Sequence, residues 1–258
     1  MRNWLFALVL LLLPVAGFAA KGQYKTDSIS VLADASLAPA MAEIAKIYAE
    51  RRNISVIFTF DSAFELSQRI NSGESADVFI ADHPRWIEEL KQKGVIDVYS
   101  LHTIAHNRLV LALPASSMLR KRLSRNVSFD DALNWLSGNT LFVLADPDTT
   151  SLGIYTRQVL TASGRWAALQ EKTIRAANSQ QAAFLTAENN AAGIVYASDI
   201  EATSDLTKIT DVPAKLHTPV TYIAAAVASE NMAQARKFLE FLGSQEAKAI
   251  YAKHGLLP

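Results

Sequence analysis

The spacing of apolar positions changes along the chain, and each change marks the boundary of a strand or helix. Residues 29–32 form a short apolar run that predicts a buried strand. After a turn, Met41, Ile44, Ala45 and Tyr48 recur on one helical face, and Asn53 ends that helix. A second strand is predicted over 54–60, a second helix carries Leu66 and Ile70, and Asn71, Ser72 and Gly73 turn the chain into a third strand at 78–80. Pro84 suits the first turn of a third helix, whose apolar side is Trp86, Ile87 and Leu90 and whose stop is Gly94. The rhythm returns with strands at 109–113, 140–144 and 193–196 and helices near 129–136, 154–163 and 180–188, for which Ser128 and Ser179 are expected N-caps. A last long strand at 220–228 precedes helices at 231–242 and 245–253.

Alternating strands and helices predict an α/β protein with mainly parallel sheets flanked by helices. No Pro/Gly-rich linker divides the chain, so two lobes joined by crossovers near 108–112 and 215–220 are expected. Residues 21–110 and 218–258 would form lobe 1, residues 111–217 lobe 2, and a ligand would sit between them.

Residues 1–20 stand apart from this rhythm. Arg2, an apolar run over 5–15 and small residues at Gly17 and Ala19 predict a cleaved signal peptide, since the run is too short to span a bilayer. No later stretch is apolar for long enough to insert stably in a membrane, so a processed, periplasmic chain is expected. The 25 basic and 25 acidic residues balance, which argues against a polyanion-binding surface and against nucleic acid as a partner. With no cysteine there is no disulfide, thiolate metal site, cysteine nucleophile or lipid-anchored N-terminal cysteine. The five histidines form no HExxH pair, and GxSxG, GxxxxGK[ST] and GxGxxG are all absent, so catalysis is not expected.

In parallel sheets ligands bind beyond the carboxyl ends of the strands. The candidate residues are therefore Asp34, Ala35 and Ser36 after the first strand, Asp61, Ser62 and Ala63 after the second, and Asp82 and His83 after the third. In the second half they are residues 146–151, together with Tyr196 at a strand end. Several of these loops open into helices, whose free amides hold anions without a basic side chain. A serine at such a place is equally suited to capping its own helix.

Four segments carry a resemblance: ISVLADASLAPAMAEIA, ISVIFTFDSAFELSQRINSGESADVFIA, LADPDTTSLGIY and GIVYASDI. In order and spacing the chain resembles the periplasmic molybdate-binding protein family. That resemblance implies the type II periplasmic binding protein fold, molybdate or tungstate held between two lobes, no cofactor, and delivery to the membrane subunits of an ABC importer. Ser36 matches the family's first-loop serine and Tyr196 its second-lobe tyrosine, and both would contact the oxygens of the molybdate. In the second loop the family's serine run becomes Asp61, Ser62, Ala63 and Phe64, so the usual ligand hydroxyl falls on Ala63, with Ser62 beside it. Leu152 stands where a smaller residue is typical, and Ser179 where a valine is. A receptor that hinges freely is expected to be a monomer.

The acids depart from the pattern, because Asp34, Asp61 and Asp82 stand where the family carries small neutral residues. Like charges about 4 Å apart at an effective dielectric of ~20 repel by about 4 kcal/mol, so one inward carboxylate would weaken a dianion severely. Either the acids cap their own helices, or they converge. Converged acids would suit a hard metal cation or an amine-bearing solute, or a sensing module with a changed site.

Overall fold

The computed structural model describes residues 28–124, 126–170 and 173–258, so the expected signal peptide lies outside the described residues. The strands are β1 (Ser28–Asp34), β2 (Ser55–Asp61), β3 (Val78–Ala81), β4 (His102–Asn107), β5 (Leu109–Pro114), β6 (Phe142–Ala145), β7 (Thr173–Ala176), β8 (Ala192–Tyr196), β9 (Leu206–Asp211) and β10 (Val220–Ala226). The helices are α1 (Ala38–Arg52), α2 (Ala63–Asn71), α3 (Pro84–Gln92), α4 (Phe129–Asn139) and α5 (Ser151–Ala162), then α6 (Trp166–Leu169), α7 (Ser179–Glu188), α8 (Ala197–Ala202), α9 (Met232–Leu242) and α10 (Gln245–Lys253).

The strands form two five-stranded sheets, ordered β2-β1-β3-β10-β4 and β7-β6-β8-β5-β9. In the first, β1 runs parallel to β2 and β3, while β10 returns antiparallel between β3 and β4. The second repeats the plan, with β6 parallel to β7 and β8 and β5 antiparallel to β8 and β9. Each sheet is thus mixed, because the strand by which the chain enters it from the other lobe, β10 or β5, runs against all the others. Leu109 and Val110 pair with β8 and β9, so the chain changes sheets at Arg108, and these two residues belong to lobe 2 rather than to lobe 1 as expected; the chain returns between Asp211 and Val220.

The central strands are apolar on both faces, as strands covered by helices on each side must be. On β1, Ile29, Val31 and Ala33 join one core with Met41, Ile44 and Phe238, while Leu32 points into another with Leu66, Phe79 and Trp86. The second sheet packs Leu111, Leu144 and Ile194 against Tyr155 and Leu160.

Local signals set the helix ends that matter for the site. Asn53 ends α1 in the left-handed region (φ 54), and Ser62 caps α2 by accepting from the Glu65 amide. Register then places the loops: Asp34 lies opposite Asp61, and Ala33 opposite Ile80. The ends of β1, β2 and β3 therefore stand side by side at one edge, facing lobe 2. At Gly153, a Cβ would lie 2.2 Å from the carbonyl oxygen of Asp146, so only glycine lets the start of α5 press against the loop leaving β6.

Candidate functional site

Asp34 is 4 % exposed and turns inward. Its Oδ1 accepts from the Ser36 amide (3.0 Å) and from Ser36 Oγ (2.6 Å), and its Oδ2 accepts from the Ala63 amide (3.2 Å). One carboxylate thus does both things weighed from the sequence, since it caps its own turn and also reaches across to the start of α2.

Because Ser36 gives its single hydroxyl proton to Asp34, it accepts from Tyr222 Oη at 2.8 Å. Tyr222 in turn accepts from Asn107 Nδ2 at 3.0 Å, and that amide also donates to Ser198 Oγ in lobe 2. The relay runs from the hinge strands to the acid without a basic group.

Asp82 is 1 % exposed and takes the Tyr196 hydroxyl on Oδ2 at 2.6 Å. Its Oδ1 is buried with no hydrogen-bond partner. Burial, and next the charge of Asp82, push the Asp34 carboxyl well above the usual carboxylate range. Burial also raises Asp82, partly offset by the hydroxyls of Ser151 and Tyr196 beside it. Asp199, whose Oδ2 accepts from the Tyr196 amide, is pushed up to about 7 by burial. His83 is driven down to about 4, by burial first and by Arg85 second, so no imidazolium balances these acids near neutral pH.

Asp61 behaves differently. It is half-buried, accepts from the neighbouring Ser62 amide at 2.8 Å, and adds to the hold that Glu74 has on Arg69. It does not join the Asp34–Asp82 pair.

The Ser62 hydroxyl is spent as the α2 cap at 3.2 Å. Ser179 is not the cap of α7; Asn178 is, accepting from the Gln181 amide at 2.8 Å, because its longer side chain reaches that amide from extended backbone one residue earlier. Ser179 is the first residue of α7, and its buried hydroxyl has no partner. Leu152 is buried in the first turn of α5. Beside it, the Ser151 hydroxyl accepts from Trp86 Nε1 at 2.8 Å.

The lobes are drawn together by contacts of this kind. Tyr196 reaches Asp82, Tyr155 Oη donates to the Asp82 carbonyl at 2.9 Å, Trp86 reaches Ser151, and Gln180 Nε2 donates to the Ala35 carbonyl at 2.8 Å. Next to Ser36 and Asp199 a cleft of about 250 Å³ opens between α1 and α7, with Ala40, Ala183 and Phe184 on its walls. Among the described residues no three His, Cys, Asp or Glu side chains are grouped to hold a metal ion, and no helix is long and apolar enough to cross a membrane.

Sequence reasoning singled out Ser151 within residues 146–151 but missed Tyr155, Tyr222, Asn107 and Asp199. Asn107 and Tyr222 lie on the strands flanking the crossovers, and Tyr155 and Asp199 lie about one helical turn past Ser151 and Tyr196. Searching one turn beyond those two residues would have found the latter two.

Two mixed α/β sheets joined by two crossing segments, with hydrogen-bonding loops meeting between them, define a two-lobed binding protein of the periplasmic type. The chain belongs to the bacterial extracellular solute-binding protein family, whose model matches residues 29–257. It is 32 % identical over 260 residues to the molybdate-binding protein ModA of Escherichia coli strain K12, covering 98 % of each chain. It is 28 % identical over 229 residues to ModA of Haemophilus influenzae, covering 88 % of this chain and 89 % of that one. The periplasmic molybdate-binding protein of Azotobacter vinelandii shares the fold with a TM-score of 0.77 at 22 % identity, over 89 % of this chain and 99 % of the other.

Proposed function

We propose that this chain is the solute-capturing component of an ABC importer and that its solute is an oxyanion of the molybdate or tungstate type. Residues 1–20 direct export and are removed, the periplasmic monomer closes lobe 1 (21–108 and 218–258) on lobe 2 (109–217), and the importer's membrane subunits receive the closed form. The solute is bound and released unchanged.

The observation that carries this reading is a convergence of donors. The amides of Ser36 and Ala63 and the hydroxyls of Ser36 and Tyr196, from both lobes, all point at negatively polarised oxygens. Neutral donors fixed by strand ends and helix starts are what an oxyanion needs where no basic side chain is at hand. Kinship with the two molybdate-binding relatives supports the same ligand class. On this reading Ser36, Ala63 and Tyr196 contact the oxyanion, the free hydroxyl of Ser179 and the backbone around Leu152 close it in from lobe 2, and Ser62 serves as cap.

One observation favours a second reading. Asp34, Asp82 and Asp199 are buried near one another with no buried Lys or Arg among the described residues, a charge pattern suited to an ammonium group or a hard cation. Melting the mature protein against molybdate, tungstate, sulfate, divalent cations and small amines separates the two. A ligand at 100 times its Kd adds about 2.7 kcal/mol. A rise in Tm with molybdate or tungstate supports the oxyanion reading, whereas a rise with cations or amines alone replaces it with the second.

A further inference from the structure

The place where the loops converge is already filled. The three donors offered by the first two loops of lobe 1 all end on the Asp34 carboxylate, and the tyrosine offered by lobe 2 ends on Asp82. Beside them Asp82 Oδ1 is buried and unpartnered. The open space between the lobes is lined by Ser36 but not by Asp34, Ala63, Asp82 or Tyr196.

We infer that Asp34 is a tethered surrogate for the solute: its carboxyl group occupies the amides and hydroxyl of the lobe 1 oxyanion cradle and must be displaced before a solute can bind. This rests on the oxyanion reading only for the identity of the displacing solute.

The argument is one of donor supply. An amide N–H serves one strong acceptor at a time, so an entering oxygen must take the Ser36 and Ala63 amides away from Asp34. A protein whose competent form is a minor population has its apparent affinity reduced by that fraction. Asp34 is therefore a specificity-determining residue. It sets a threshold that only a solute able to outbid a covalently attached carboxyl group passes.

The test uses the mature full-length chain as wild type, Asp34→Ala and Asp34→Asn, each first shown by thermal melting to fold. Calorimetry reports binding of formate, acetate and molybdate. The wild type is expected to be indifferent to formate. Asp34→Ala is expected to bind formate or acetate at millimolar concentration in the vacated cradle, and to bind molybdate at least ~10-fold more tightly than wild type. Asp34→Asn, which keeps the volume and one acceptor oxygen, should fall between them.

A wild type that binds formate as the Asp34→Ala chain does, or an Asp34→Ala chain that binds no formate, overturns the inference. If the formate results come out as expected but no variant binds molybdate or tungstate, the surrogate stands and the oxyanion reading of the function falls.

Discussion

Removing the Tyr196 hydroxyl isolates the contribution of one bond between the lobes. The ring is fully buried in the lobe 2 core, so Tyr196→Phe keeps the packing and deletes only the oxygen. That oxygen donates to Oδ2 of the Asp82 carboxyl group, whose other oxygen is already unpartnered. A hydrogen bond to a charged acceptor contributes about 1.5–3 kcal/mol, and stranding its buried partner draws on the same range. Because donor and acceptor sit in different lobes, the loss should fall on closure rather than on the folding of either lobe. Each 1.4 kcal/mol is a factor of about ten, so the closed-to-open ratio should fall roughly 10- to 100-fold. Small-angle scattering of the solute-free chain measures this directly as an increase in radius of gyration. In an Asp82→Asn background the same change should have much less effect, since the two residues act as one pair. A Tyr196→Phe chain that stays as compact as wild type would refute the reasoning, as would additivity with Asp82→Asn.

Two further outcomes follow from other contacts. At Gly255, whose φ is +76°, an added Cβ would lie 2.7 Å from Glu201 Cγ and 3.3 Å from Ser198 Cα, both across the lobe boundary. Gly255→Ala should lower stability by about 1 kcal/mol through backbone strain and also loosen closure. Adding Glu201→Ala should restore part of the compactness seen by scattering without recovering the melting loss. Asp199 supplies a pH test: its folded pKa, about 7, lies above the unfolded value, so the folded form holds the extra proton. Its contribution is therefore full at acid pH and is lost as pH rises between about 4 and 7, by on the order of 4 kcal/mol. His83, lowered to about 4, works in the opposite sense up to its unfolded value near 6.5, so the comparison to make is between wild type and Asp199→Asn. Urea unfolding at pH 5 and pH 8 should show the wild type losing more stability than Asp199→Asn on going to the higher pH, and equal losses would reject the assignment.

The architecture was legible because burial imposes a period that a sequence records. Met41, Ile44 and Tyr48 could only be one face of a helix, and the run at Val31 and Leu32 could only be a strand covered on both sides. The edge strands β7 and β9 escaped, since an edge has one neighbour and a half-wet face, and residues such as Arg175 and Lys208 interrupt any apolar alternation. The antiparallel return of β5 and β10 was also hidden, because direction is a property of the connection and leaves no mark on a strand's own residues. Loop positions at the site followed from the strand ends, and Asp34, Ser36, Ala63, Asp82 and Tyr196 do meet. Side-chain direction did not follow, because it depends on register between strands far apart in sequence.

Asp34 and Asp61 show why that last step needs the fold. Both are aspartates at the carboxyl end of a parallel strand, both precede a serine, and the register sets them directly opposite each other. Asp61 is on the edge strand, where one side is open; it bonds the next amide and keeps solvent access. Asp34 is on the strand between β2 and β3, so the start of α2 lies on one side of it and Asp82 on the other. A carboxylate there is surrounded by donors and sealed by the opposite lobe, and the amides that could hold a solute satisfy it first. The same local chemistry thus yields a carboxylate that holds the next amide at the sheet's edge and an internal carboxyl group that fills the cradle one strand further in, and strand order separates the two roles.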